Sequence, residues 1–501
     1  SMFTHNTLLT SRRSVAFGVR FFSRHDLSRG YSMGESFRIW LDFIMNSEQE
    51  DQSSQDQLIK YALSYYRSYQ GYESPKGMGA YNLKTIIDKK GNYINEIRVE
   101  NNMHREDTML QLEPHNEEQI KHLVMLHGYG ASAGWFYKNF HGLLINNPGC
   151  KIHALDMLGF GLSSRPTVTY KHDSGNGRCG ASPISLNILY DSLSLQKAPK
   201  GHLKKGGKRT FAVPSRFRLR SSDVLEYIKN QLELVREVES VYVESLEQWR
   251  KNNGIDRFDL LGHSFGGYMA FAYASRYPEH VKRLVLVSPG GVERSPFAVT
   301  NPRYLALKEL ADEGKAIPEY LDYMTSHWVG DYPFLGRYTS VKDSFRMIWE
   351  TRVSFFSMLR WLGPAGPKKL SERNVRKLSR SGYIRDPKEI DLFMRYIYNT
   401  ALKPSFSETS IMRVFDASVV AKYPILDRLD HLKVPKSLWI YGEHDFMFTD
   451  CGRAATKILN AKPGFESKFE TVSNAGHNLY LDNHKEFNRK VCRFLGWQAS
   501  D

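Results

Sequence analysis

The chain has 501 residues, 41% of them hydrophobic, which is enough for one large domain with insertions or for two, and excludes a disordered chain. Its formal net charge of +15 favours an anionic partner, either nucleic acid or an anionic membrane. Four scattered cysteines (Cys150, Cys179, Cys451 and Cys492) lack metal-ligand spacing, so they argue against a disulfide framework and a structural zinc site.

The first 25 residues carry Arg12, Arg13, Arg20 and Arg24, several Ser and Thr, and no acid. This is the composition of a mitochondrial transit peptide, expected over residues 1–31, with Arg20-Phe21-Phe22-Ser23 and Arg29-Gly30-Tyr31-Ser32 as candidate processing sites. A disordered basic tail is the alternative. Residues 32–82 are expected to be a helical, membrane-associating segment. Within it Phe37, Trp40, Leu41 and Ile44 share one helical face, which suits either an interfacial helix or one packed on the domain. Residues 46–57 are acidic and polar and read as a loop. Residues 83–100 read as a hairpin turning at Lys90-Gly91-Asn92.

From there the pattern becomes regular. Short apolar runs at 122–126, 151–155, 258–261, 283–287, 437–441 and 469–472 alternate with helical segments, which predicts a mostly parallel sheet buried on both faces. A long amphipathic helix is expected over 222–252, capped by Ser222 and followed by Gly254, and a final helix over 484–495. Two insertions interrupt the core: one lies within its first part, 83–292, and the other separates that part from the second, 421–501. Residues 167–221 are basic, with Lys200, Lys204, Lys205, Lys208, Arg209, Arg216, Arg218 and Arg220, and read as a flexible loop. Residues 293–420 are helical and aromatic (Trp328, Phe334, Trp349, Phe355, Phe356, Trp361, Tyr396) and read as a cap over a site.

Gly262-His263-Ser264-Phe265-Gly266 is a G-x-S-x-G element between an apolar strand and a helix-like run. Such a turn needs small residues at 262 and 266 and exposes the serine hydroxyl above a sheet edge, the nucleophile elbow of the α/β-hydrolase fold. A serine needs a base, and His477, just after the last predicted strand, fits the order Ser, acid, His. Asp445, past the penultimate strand, is the expected acid; Glu443 and Asp450 compete with it. Two N–H groups would form an oxyanion hole, that of Phe265 and that of Tyr129 in the loop His127-Gly128-Tyr129-Gly130. A hydrolase of this fold that used Asp as nucleophile would carry it at 264. No dinucleotide or phosphate-loop fingerprint appears, and neither a metal nor a cofactor is expected.

The stretches Asp156–Pro166, Tyr242–Arg250, Gly262–Gly267 and His477–Asp482 resemble the glycerophospholipid-acting α/β-hydrolases, a family that includes mitochondrial cardiolipin deacylases, lysophospholipid lipases and lipase coactivators. The resemblance spans about 83–166 and 222–500. The leader and the intact Ser264 are most similar to the cardiolipin-deacylase branch. What it implies is a serine phospholipase cleaving an acyl ester of cardiolipin, peripheral on the matrix side of the mitochondrial inner membrane, with no nucleic-acid partner. His477-x-x-x-x-Asp482 also matches the family's H-x4-D acyltransferase motif. The alternatives are therefore a lysophospholipid acyltransferase and a non-catalytic lipid-binding coactivator. With Ser264 present, Asp482 is expected to be structural, capping the final helix.

Overall fold

The computed structural model describes residues 30–67, 77–102, 120–173, 189–190, 193–197, 210–324, 341–381, 384 and 386–500. Residues 1–29 of the expected leader, Cys179, Lys200, Lys204, Lys205, Lys208, Arg209, Trp328 and Phe334 lie outside them.

The main sheet has nine strands: β1 Tyr66–Arg67, β2 Met78–Ile86, β3 Tyr93–Asn101, β4 Lys121–Leu126, β5 Cys150–Leu155, β6 Phe258–His263, β7 Val281–Val287, β8 Lys436–Gly442 and β9 Glu466–Val472. Their order is β1-β2-β3-β5-β4-β6-β7-β8-β9. β2, β3 and β5 pair antiparallel, while β5 through β9 run parallel. The six apolar runs are the strands β4 to β9. β6 is buried along its whole length because helices cover both faces. The predicted hairpin is β2–β3, with Gly91 at φ 81° in the turn, where a Cβ would be strained.

Helix α1, Met33–Ala62, opens with a capping box between Ser32 and Glu35 and is interrupted at Asn46. It continues through 46–57, where a loop was expected. Three polar residues of that stretch face inward: Asp51, Ser54 and Gln55 are buried, Asp51 pairs with Lys403, and Gln55 bonds Asn82. Tyr31 belongs to the folded body as well, its N–H on Ser371 Oγ at 2.9 Å and its hydroxyl on Asp391 Oδ1 at 3.0 Å.

Helix α2 runs Ser221–Asn252 and is followed by Gly254 at φ 64°. Its N-cap is Arg220, which makes no side-chain cap bond, so Ser222 does not cap it. The basic insertion 167–221, read as a flexible loop, forms strands where it is described. Leu193–Lys197 pairs with Thr210–Pro214, and Arg216–Arg220 pairs with Leu189–Tyr190 and with Tyr320–Met324 of the second insertion. The reason is alternation: Phe217 and Leu219 are buried between outward arginines, a period of two inside a stretch that is otherwise charged. Asp173 pins the start of this insertion to Arg352 and Arg413 at 3.2 and 2.6 Å.

The second insertion carries helices α4 Phe355–Trp361, α5 Gly366–Ser381, α6 Pro387–Ala401 and α7 Ser407–Val414. Helix α3, Phe265–Arg276, lies between β6 and β7, and the last helix, α8, is His484–Leu495.

Candidate active site

The loops that leave the carboxyl ends of adjacent parallel strands converge, the place where open α/β sheets build sites. β6 ends at His263 and is followed by Ser264; β7 ends at Val287 and is followed by Ser288. The ladder extends one residue further on each: Ser264 N–H donates to the Val287 carbonyl at 2.9 Å, and Ser288 N–H to the Ile440 carbonyl at 2.8 Å.

Ser264 has φ 54° and ψ −116°, the strained conformation of an elbow, which costs of order 1–3 kcal/mol and must be held by its surroundings. They hold it tightly. A methyl at Gly262 would collide with the Gly266 carbonyl, and one at Gly266 with the His127 carbonyl. Those two glycines thus let the turn close on itself and on the neighbouring loop.

His477 Nε2 lies 2.9 Å from Ser264 Oγ, and His477 Nδ1 lies 3.1 Å from Asp445 Oδ1. Asp445 is buried. Burial raises its carboxyl pKa, but the imidazole of His477 and hydrogen bonds from His477, Ser288 Oγ and the Met447 N–H outweigh it, and the net shift is downward. The two competing acids are elsewhere. Glu443 is half-exposed and accepts from the Asn474 N–H, bracing the loop; Asp450 is exposed beside Arg453.

The second oxyanion loop abuts the elbow: a Cβ at Gly128 would stand 3.1 Å from Ser264 Cβ. Gly130 has φ 70° and faces the Phe356 ring. His127 fixes this loop. Its Nδ1–H donates to the Gly128 carbonyl at 2.8 Å while Nε2 accepts from the Met157 N–H at 3.1 Å, so the ring is neutral, and burial lowers its pKa. Of the residues expected to supply the oxyanion N–H groups, Phe265 follows Ser264 as the first residue of α3 and Tyr129 lies between Gly128 and Gly130, its hydroxyl donating to the Glu408 carbonyl at 2.6 Å.

Three further residues shape the site, and sequence reasoning passed over their roles. Ser288 bonds the carboxylate oxygen of Asp445 that His477 leaves. His263, buried, donates Nε2–H to the His477 carbonyl at 2.9 Å, so the elbow also sets the height of the base. Asp156 accepts from the Ala133 N–H (2.6 Å), the Leu162 N–H (2.8 Å) and Asn95 Nδ2 (2.8 Å), stapling the loop that carries Tyr129 to the strand ends. For Ser288 the only signal was its place one residue past a strand that neighbours the elbow.

Asp482 does not cap the final helix. Asn483 does, accepting from the Glu486 N–H, while Asp482 Oδ2 accepts from the Gly476 N–H at 2.9 Å and braces the turn that presents His477. The cap closes over these loops: Phe356 meets Tyr129 at 5.6 Å between ring centres, and Phe415 meets Phe265 at 6.2 Å. A groove of about 840 Å³ between α1, Arg165 and Lys403 lies outside this constellation. No group of residues able to hold a metal ion occurs among the described residues.

Residues 121–316 match the sequence profile of the family described as alpha/beta hydrolase fold. The chain has the α/β-hydrolase fold. Over most of its length it is similar to curated proteins that include the following three. Protein ECM18 of Saccharomyces cerevisiae is 28% identical over 382 residues, covering 74% of this chain and 70% of that protein. The 1-acylglycerol-3-phosphate O-acyltransferase ICT1 of the same yeast is 27% identical, covering 74% and 81%. The 1-acylglycerol-3-phosphate O-acyltransferase ABHD5 of Homo sapiens is 27% identical, covering 75% and 78%.

Proposed function

We propose that this α/β-hydrolase-fold chain moves fatty acyl groups at glycerophospholipid esters through an acyl-Ser264 intermediate, with a lysophospholipid hydroxyl as the acceptor. The observation that carries the chemistry is the chain of contacts Ser264 Oγ–His477 Nε2–His477 Nδ1–Asp445 Oδ1, at 2.9 and 3.1 Å. What favours a lysophospholipid acceptor over water is that two of the similar proteins bear the name 1-acylglycerol-3-phosphate O-acyltransferase.

In the first half-reaction His477 takes the Ser264 proton as Oγ attacks the ester carbonyl. The oxyanion sits on the Tyr129 and Phe265 N–H groups, and the leaving alcohol departs with the proton from His477. In the second half-reaction an acceptor hydroxyl gives its proton to His477 and attacks the acyl-serine, and the proton returns to Ser264. Asp445 holds the imidazole orientation and stabilises the imidazolium throughout.

Hydrolysis of a cardiolipin acyl ester, the reading the sequence led with, is the same scheme with water as acceptor. The intact triad supports it, and cardiolipin itself rests on the resemblance. The proposed setting is the matrix side of the mitochondrial inner membrane, supported by the composition of residues 1–25 and the net charge of +15.

The test gives wild type and Ser264→Ala cardiolipin or phosphatidylcholine vesicles, with and without a 1-acylglycerol-3-phosphate and an acyl-CoA, and reads products by mass spectrometry. Acylated acceptor formed only when Ser264 is present is the expected result. Free fatty acid and monolysocardiolipin without transfer would move the assignment to the deacylase. Equal turnover by the variant would overturn the triad, and vesicle binding without any turnover by wild type would favour a coactivator.

A further inference from the structure

We propose that the outer face of α1, together with the end of α4, is a docking surface for an anionic phospholipid bilayer. The proposal takes its purpose from the lipid reading above, and its observations stand apart from the triad. Before its break at Asn46, α1 buries Ser36 and Ile39 against the body. On the opposite side it exposes Met33 (50%), Phe37 (48%), Leu41 (40%), Ile44 (54%) and Met45 (70%). Positions 33, 37, 41 and 44 follow the i, i+4, i+8, i+11 spacing of one helical stripe, so this helix is apolar on two faces while only one is covered.

The stripe continues on a second element. Ser36 Oγ donates to the Pro364 carbonyl at 2.6 Å and accepts from the Lys368 N–H at 2.8 Å, fixing α1 against the turn 363–365. That places Trp361 (73% exposed) and Leu362 (47%) beside it. Single exposed apolar residues are ordinary, but seven on α1 and at the end of α4 mark a surface that meets something.

Charge selects the occupant. Helix α5, packed beside α1, carries Lys368, Lys369 and Arg373 against the single acid Glu372 among its described side chains. Arg38 also lies exposed on α1, beside the acid Asp42. A twofold contact between two copies would set these basic helices against one another, whereas an anionic headgroup layer neutralises them. No described helix is long and apolar enough to cross a membrane, so this face would lie on the bilayer.

The same surface reaches the site. Helix α4 has Trp361 at one end and Phe356 near the other, and Phe356 packs on Tyr129 and Gly130 of the oxyanion loop. Seven residues of helix span about 10 Å. A bilayer seated on Trp361 would thus lie one short helix from the acyl-transfer chemistry.

The full chain would be floated with vesicles of phosphatidylcholine alone or of phosphatidylcholine and phosphatidylglycerol in equal parts. The expected result is binding that favours the anionic vesicles, weakens with salt and falls at least about tenfold in Phe37→Ser/Leu41→Ser/Ile44→Ser. It should fall separately in Trp361→Ser, whose position guards against misfolding of α1 alone. Turnover of a soluble short-chain ester stays at the wild-type level in both variants, while turnover of vesicle phospholipid falls with binding. Ser264→Ala binds as wild type does, so a failed chemistry and a failed surface give different results. Wild-type binding by both variants would overturn the proposal, as would a patch that, in sedimentation, holds two copies of the chain together and does not bind vesicles.

Discussion

Ser288 Oγ donates a hydrogen bond to Asp445 Oδ2, the carboxylate oxygen that His477 does not use. The two residues come from neighbouring strand ends, and the contact, with the Met447 N–H, holds the buried carboxylate charged and oriented.

Ser288→Ala should therefore raise the Asp445 pKa and move the acid limb of the pH–rate profile toward neutral. We expect kcat/KM to fall about tenfold, the loss of roughly 1.4 kcal/mol, with KM little changed. The sign for stability follows from the depressed pKa: Asp445 stabilises the fold above its unfolded pKa, and that contribution is lost as pH falls. The variant should be less stable than wild type at neutral pH and converge with it in acid. Denaturant titrations at several pH values, beside the rate profile, check both.

Asp482 braces the Gly476 N–H rather than reaching the reacting atoms. Asp482→Asn, which keeps an acceptor oxygen, should retain most activity. Asp482→Ala should lower hydrolysis and acyl transfer by the same factor, about tenfold, the weight of one good hydrogen bond. Measuring both products in one reaction is decisive: a collapse of transfer alone would make H-x4-D a chemical unit in its own right.

In the proposed mechanism Tyr129 serves through its backbone N–H, and its hydroxyl ties the loop to the Glu408 carbonyl. Tyr129→Phe should cost about 1 kcal/mol of stability and change kcat by no more than a few-fold. A loss near 10²–10³, the weight of an oxyanion donor, would show that the hydroxyl takes part directly.

Burial raises the Asp416 carboxyl in the cap to about 7, and the N–H groups of Ser418 and Val420 on its Oδ1 offset only part of this. A raised carboxyl pKa means that the folded chain holds the proton more tightly than the unfolded one. Stability should thus be greatest below about pH 4 and decline up to about pH 7 from this group. Asp416→Asn keeps the acceptor and removes the titration. It should match wild type near pH 4 and exceed it near pH 8 by up to ~4 kcal/mol. Chemical denaturation at the two pH values tests it. Lys422, lowered to about 8 by burial, acts in the opposite sense only above that pH.

The sequence by itself determined the parts that local pattern dictates. Continuous apolar runs became β4 to β8 because strands buried on both faces must be apolar, while β9, at the sheet edge, keeps exposed polar positions. Gly262 and Gly266 announced the elbow because no side chain fits where the turn closes on backbone. The order Ser264, Asp445, His477 followed from that topology. Tertiary structure alone decided what depends on neighbours far along the chain. Residues 46–57 looked like a loop because their burial is polar, and only Lys403 and Asn82 reveal the inward face. The strand at Arg216–Arg220 needed Tyr320–Met324 as its partner. Glu443, Asp445 and Asp450 lie within eight positions of one another in sequence; what separates them is which carboxylate the β8 and β9 loops bring within hydrogen-bond reach of His477, a distance that no spacing encodes.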